Sequence, residues 1–380
     1  MLRSLNMKKT LRTILIIVVF IIGCFGSGML IGKILKHIFG KPESTGGSDS
    51  TVIMLSSIVS LFVAFLLTII IHEAGHLVCG LITGYKYLLF RVGSLSLIKR
   101  RNKFEFKKFS IQGTGGQCIL MPPDSDDPKK VPCFLYHLGG GLFNFLTAVI
   151  AFPIAFATHS NILRPFFLVL GMLSFFQALM NLIPIKGQIP NDGYNILMMI
   201  RKPAERAAMY KTLRINGLLF NGSTPSQIPS ELYDLGAEGF YNVVETILKG
   251  EARIDSLDFE GAEKLFSESA DNNTIKYYQL EGRSELLFCK IMNGAPAEEI
   301  DKIYDTELAN FITAAGKTLI SKRRQMYAYQ LLYKNDTEAA EKEYQAAMKL
   351  KDTYPIEGEV TAELKLLDFI KSRKEIALQN

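Results

Sequence analysis

Apolar positions gather into long uncharged runs before residue 200; beyond it they recur singly among charged residues at helical spacing. Residues 13–32, 51–71, 134–157 and 165–185 are each long enough to cross a bilayer, which takes about 20 predominantly apolar residues. These runs predict about four membrane helices. Between the second and third, residues 85–130 change character. Short apolar stretches break at Gly93-Ser94, Phe104-Glu105-Phe106 alternates, residues 113–116 form a turn cluster, and Met121-Pro122-Pro123-Asp124 closes the segment. That pattern predicts two to four short strands beside the membrane. Residues 196–220 carry Arg201, Lys202, Arg206, Lys211 and Arg214 along an amphipathic pattern, which predicts a helix lying on the membrane surface.

A linker marked by Asn221-Gly222-Ser223-Thr224-Pro225 and Pro229 follows, and the rest is helical and soluble. Ala262 with Phe266, and Ala340 with Tyr344, repeat a small-residue-to-aromatic spacing, the second just after the turn Asn335-Asp336. This resembles a tetratricopeptide repeat without a fixed period; a plain helical bundle is the alternative. The expected fold is thus mainly α: a polytopic membrane helix bundle, a small membrane-proximal β insertion and a soluble C-terminal α-helical, tetratricopeptide-like domain. The expected domains are 1–50 (membrane helix and connector), 51–200 (membrane core with the insertion at 85–130), 201–230 (amphipathic helix and linker) and 231–380 (cytoplasmic helices).

Composition agrees with a membrane chain: 48% of its 380 residues are hydrophobic. The net charge of +6 could suggest nucleic acid. Before residue 200, however, the basic residues lie mainly at the N-terminus and in 86–130, between apolar runs. That fits positive-inside orientation, so no nucleic-acid partner is expected. The five cysteines are scattered with no C-x-x-C pair, which argues against a disulfide framework or zinc ribbon. Ile21-Ile22-Gly23-Cys24 resembles a lipoprotein cleavage box, but the apolar run continues past it and predicts a retained span.

The chemistry concentrates at His72-Glu73-Ala74-Gly75-His76, at the end of the run 51–71. H-E-x-x-H on a helix places two imidazoles one turn apart, the spacing for two ligands of one zinc, with the glutamate beside the metal's water. Ionisable groups at membrane depth are costly and seldom idle. Asp192, in Asn191-Asp192-Gly193 just beyond the fourth run, is the candidate third ligand; a plain turn is the alternative. His137 is the nearest candidate for a fourth. Gly139-Gly140-Gly141 would weaken a helix, so close packing or backbone approach is expected there, and Asn144 must find a polar partner. Ten Lys and Arg put 85–130 on the cytoplasmic side. The segment is either a solvated basic hairpin or an edge strand that holds an extended substrate beside the zinc.

His72-Glu73-x-x-His76, Gly141-x-x-Asn144 and Asn181-x-x-Pro184 with Asp192-Gly193 together resemble the site-2 protease family of intramembrane zinc metalloproteases, over roughly residues 50–200. The resemblance implies one zinc per chain held by His72, His76 and Asp192, with Glu73 as catalytic acid/base. Asn144 and Asn181 would line the site or touch substrate. It also implies a lipid-embedded, multi-pass protein of a bacterial cell membrane, with both termini cytoplasmic. The substrate would be a transmembrane protein or a signal-peptide remnant. Lys186-Gly187-Gln188 lengthens the usual spacing to Asp192, and no segment resembles a PDZ module; the C-terminal helices stand in its place. The competing expectation is a non-catalytic membrane-anchored scaffold that recruits cytoplasmic partners through residues 231–380.

Overall fold

In the computed structural model, which describes residues 47–100, 103–109, 114–185, 190–269 and 275–379, helix α1 runs unbroken over Gly47–Ile82. The first expected span (13–32), Cys24 and the Lys186-Gly187-Gln188 insertion lie outside the described residues. Three helices among those described are long and apolar enough to cross a membrane: Leu55–Ile82 within α1, α2 (Phe134–Ala157, its span window extended back to Pro128) and α3 (Leu163–Leu182). The second expected span is too short at its C-terminal end. α1 continues past Ile71, so the H-E-x-x-H motif lies inside the helix rather than at its end. The helix can continue because His72, Glu73 and His76 are all buried against neighbouring elements instead of facing lipid.

The lipid-facing sides carry large apolar residues such as Phe62, Phe65, Phe145, Ile150 and Phe176, all well exposed. The inward sides carry small ones. A Cβ on Gly75 would strike the Gly139 carbonyl of α2, and one on Gly139 would strike that of Gly75, so the two backbones touch at this crossing. Small residues at helix crossings are what close packing in a bilayer requires, since water provides no driving force there. Gly84, at φ +85°, turns the chain out of α1 into the sheet.

Four strands follow, at the upper end of the expected number: β1 (Lys86–Val92), β2 (Leu95–Arg100), β3 (Lys103–Lys108) and β4 (Gly116–Met121). They form an antiparallel sheet in the order β3-β2-β1-β4, so β4 pairs with β1 on one side only. Leu89 faces Ile98 across the β1–β2 ladder, and both are buried. Tyr136 of α2 donates its hydroxyl to the Cys118 carbonyl at 2.9 Å, which fixes β4 to the membrane helices.

The single helix expected over 196–220 is two, α4 (Asp192–Arg201) and α5 (Pro203–Phe220), divided at Lys202-Pro203. Proline disfavours a helical residue before it yet suits the first helical position after it. Ala208, Ile215, Leu219 and Phe220 of α5 are buried, and Gly217 meets Met121 of β4. One face of the helix therefore packs on the protein.

The C-terminal region comprises α6 (Ser230–Tyr233), α7 (Phe240–Asp255), α8 (Phe259–Ser269), α9 (Lys276–Asn293), α10 (Ala297–Ile303), α11 (Thr306–Ala315), α12 (Ile320–Ala328), α13 (Thr337–Lys351) and α14 (Glu357–Gln379). Its core includes Ala262, Phe266, Leu287, Phe288, Ala340 and Leu367, so both expected small-residue positions point inward. It is joined to the sheet directly. Arg100 donates to the carbonyls of Tyr354 (3.0 Å) and Pro355 (2.9 Å), and Phe109 packs edge-on against the Tyr354 ring.

Candidate metal centre

α1, α2 and α4 build one buried cluster. One turn of α1 brings the Nε2 atoms of His72 and His76 to 3.1 Å from each other. Asp192 Oδ2 lies 3.4 Å from the first and 3.3 Å from the second. These three residues place ligand atoms within 4.8 Å of one another, and among the described residues no other group of three does so. Three lone-pair groups this close repel unless protons or a cation lie between them. The triangle has the right size for zinc. Bonds of about 2.0–2.2 Å in a tetrahedron set ligand atoms roughly 3.3–3.5 Å apart. Two imidazoles and one carboxylate are also the donor set of a catalytic zinc with an open position.

Backbone and side chains of α2 fix the imidazoles. His76 Nδ1 lies 2.8 Å from the Tyr136 carbonyl and donates to it, which leaves the Nε2 lone pair facing the cluster. The carboxamide of Asn144 is fully buried, 3.3 Å from His72 Nδ1. Its amide nitrogen Nδ2 is the atom nearest the ring and Oδ1 has no partner, so exchanging the two amide positions lets Oδ1 accept from Nδ1–H and free Nε2. Gly140 makes room. A Cβ there would sit 2.5 Å from His76 Nε2 and 2.7 Å from His72 Nε2, inside the space a metal needs. The triglycine thus gives the close packing expected of it at Gly139 and, beyond that expectation, room beside the two imidazoles at Gly140.

Asp192 is placed by its neighbour. Asn191 caps α4, accepting from Tyr194 N–H at 2.9 Å and from Ile185 N–H at 3.1 Å. Its amide donates to the Met180 and Ile183 carbonyls, each at 2.7 Å, which ties the end of α3 to the start of α4. A Cβ on Gly193 would collide with the Leu182 carbonyl, so this turn sits hard against α3. Burial opposes the charge on Asp192, but His137, His72 and His76 outweigh it and hold the carboxyl well below the usual range. Asn181 takes a different position. Its side chain turns back to the Gln177 carbonyl at 3.0 Å, and its own carbonyl, not its amide, borders Gly193.

Glu73 is buried with its carboxyl against the start of β4; a Cβ on Gly116 would lie 2.6 Å from Oε1. Behind Gly116 stands Arg91, 0% exposed, which donates to the carbonyls of Gly93 (2.7 Å) and Gly116 (3.4 Å) and to the Thr114 hydroxyl. In the sequence Arg91 counts as one more basic residue of a solvated segment. The structure corrects this, because strand pairing turns it inward to pin the two turns that flank Glu73. Asn191 and Arg91 are the site-supporting residues the sequence does not reveal. The only local signal is an Asn at the N-cap position before Asp-Gly.

Residues 60–163 match the family model described as Peptidase family M50. No curated protein and no solved structure matches the chain. The matched segment contains His72, Glu73, His76, His137 and Asn144 and stops short of Asn181 and Asp192, which geometry alone joins to it. With its apolar helices, this segment, from within α1 through the sheet and α2, is thus similar to peptidase family M50, the site-2 protease family.

Proposed function

We propose that this chain is an intramembrane zinc metalloprotease that hydrolyses a peptide bond in or next to a transmembrane segment of a membrane protein or signal-peptide remnant. The observation that carries this reading is the triangle of His72, His76 and Asp192, with sides of 3.1, 3.4 and 3.3 Å, set between membrane helices. Those three residues would hold one zinc, which supplies Lewis acidity to a water and to the scissile carbonyl. Glu73 takes the proton of the attacking water on its carboxylate and passes it to the leaving amine. The Tyr136 carbonyl keeps His76 in the tautomer that offers Nε2, and Asn144, with its amide oxygen turned to the ring, would do the same for His72.

A helical substrate hides its carbonyls in i→i−4 bonds and must unwind before it can be cut. The unpaired side of β4 accepts an extended peptide as an added strand. Because β4 starts at Gly116 beside Glu73, a segment so paired runs past the general base. Asn181 supports the turn that carries Asp192 through its backbone. The C-terminal helices, read as tetratricopeptide-like hairpins around Ala262/Phe266 and Ala340/Tyr344, recruit a cytoplasmic partner. On this reading both termini are cytoplasmic, in a multi-pass bacterial membrane protein.

Glu73→Gln tests the assignment. Purified in detergent, the variant should keep its zinc and lose at least about 10²–10⁴-fold in cleavage of a transmembrane peptide, the contribution of a general acid/base. Undiminished turnover would rule out Glu73 as the base. The same inactive variant, cross-linked in membranes and analysed by mass spectrometry, would identify the bound substrate.

A further inference from the structure

All three candidate ligands receive their outer contacts from one helix, α2. The Tyr136 carbonyl meets His76, Asn144 meets His72, and His137 faces Asp192. His137, Gly140 and Asn144 recur at helical spacing, so a single face presents a contact to the carboxylate, the space for the ion and a contact to an imidazole. The first two bear on the tautomers of His76 and His72. The third is not yet accounted for.

We propose that His137 is a positioning residue for Asp192: its ring holds Oδ1 so that Oδ2 stays aimed at the two histidines. His137 Nδ1 lies 3.8 Å from Oδ1, while Oδ2 lies 3.3–3.4 Å from the Nε2 atoms. The imidazole is only 8% exposed, and its Nε2 has no partner. Asp192 is therefore the group it has to act on. A fourth-ligand role does not fit, because His137 falls outside the set of atoms within 4.8 Å of one another. Asp192 is the ligand that needs such help most. The other two stand within a long membrane helix, whereas Asp192 is the first residue of a ten-residue helix. A carboxylate there can rotate and exchange its oxygens unless one of them is held.

This inference rests on the zinc reading, and its test separates the two. Zinc affinity of the full-length protein in detergent is measured by competition with a chelator, together with thermal unfolding of the zinc-stripped form. His137→Phe keeps the ring volume and removes the donor; affinity should fall about 10–100-fold, the usual cost of losing an outer-shell partner. His137→Asn carries an amide N–H near the place of Nδ1 and should restore most of that loss. The unfolding of the zinc-free forms should not differ. Unchanged affinity in His137→Phe overturns the inference and leaves the zinc centre standing. Equal losses in both variants with weaker zinc-free stability also overturn it, since His137 would then be a packing residue. A wild-type protein that binds no zinc removes the centre itself.

Discussion

The C-terminal bundle and the membrane cluster both bury polar groups, and they balance them in opposite ways. In the bundle, Lys322 is 0% exposed and donates to Glu281 at 2.6 Å and to Ser284 at 2.8 Å. Arg324, 2% exposed, meets Glu285 at 3.0 Å and Glu363 at 2.7 Å and lies over the Phe288 ring. Each buried cation has its carboxylates in bonding contact. In the membrane, two imidazoles and a carboxylate converge, and the nearby buried cation, Arg91, spends its bonds on Gly93, Thr114 and Gly116. The first network pairs each cation with carboxylates of its own region. The second presents lone pairs and one negative charge to a common point and is closed by adding a cation. Ion pairs already made are architecture; lone pairs converging on one point mark a site.

The comparison can be broken at its strongest bond first. Arg324→Met leaves Glu363 buried without its cation and Glu285 with Lys322 alone, at 3.8 Å, and removing one member of such a pair costs about 3–5 kcal/mol. Chemical unfolding of the full chain should show that loss with zinc content unchanged. Gly140→Ala does the converse. Its methyl enters the space between His72 and His76, so zinc affinity should drop by about the 10–100-fold of an outer-shell change or more, while the bundle's unfolding stays as in wild type.

A smaller effect concerns pH. Burial pushes the Glu359 carboxyl up to about 7, despite a 2.5 Å hydrogen bond from the Tyr354 hydroxyl. The folded pKa lies above the unfolded one, so the native state holds a proton the unfolded chain has released. This contribution is full below the unfolded value, about 4.3, and is lost as pH rises through about 7. Melting temperature should therefore decline between pH 5 and 7.5, and Glu359→Gln should flatten the decline; an unaltered slope would assign it elsewhere. Smallest is the joint between the regions. Arg100→Ala removes two bonds to the Tyr354–Pro355 carbonyls and should cost about 1 kcal/mol in unfolding, the net worth of such contacts.

What the sequence revealed follows from how local each signal is. α2 spans 134–157 as the uncharged run requires, and the H-E-x-x-H spacing is a helical fact independent of tertiary structure. Asp192 was reachable because a zinc needs a third donor and an Asp-Gly followed the last membrane helix. The extension of α1 to Ile82 was not, since hydropathy cannot tell a charged residue that ends a span from one that faces a neighbour inside it. Arg91 was missed for the same reason. The contacts of Arg100 and Phe109 with Tyr354 join positions some 250 residues apart, and no local pattern encodes them.

The central claim is that His72, His76 and Asp192 form one zinc centre. Elemental analysis of the purified, detergent-solubilised protein tests it most directly, comparing wild type with Asp192→Ala and Glu73→Gln. One zinc per chain in wild type and Glu73→Gln, with its loss in Asp192→Ala, is the expected result. A metal-free wild type, or full zinc in Asp192→Ala, would contradict it.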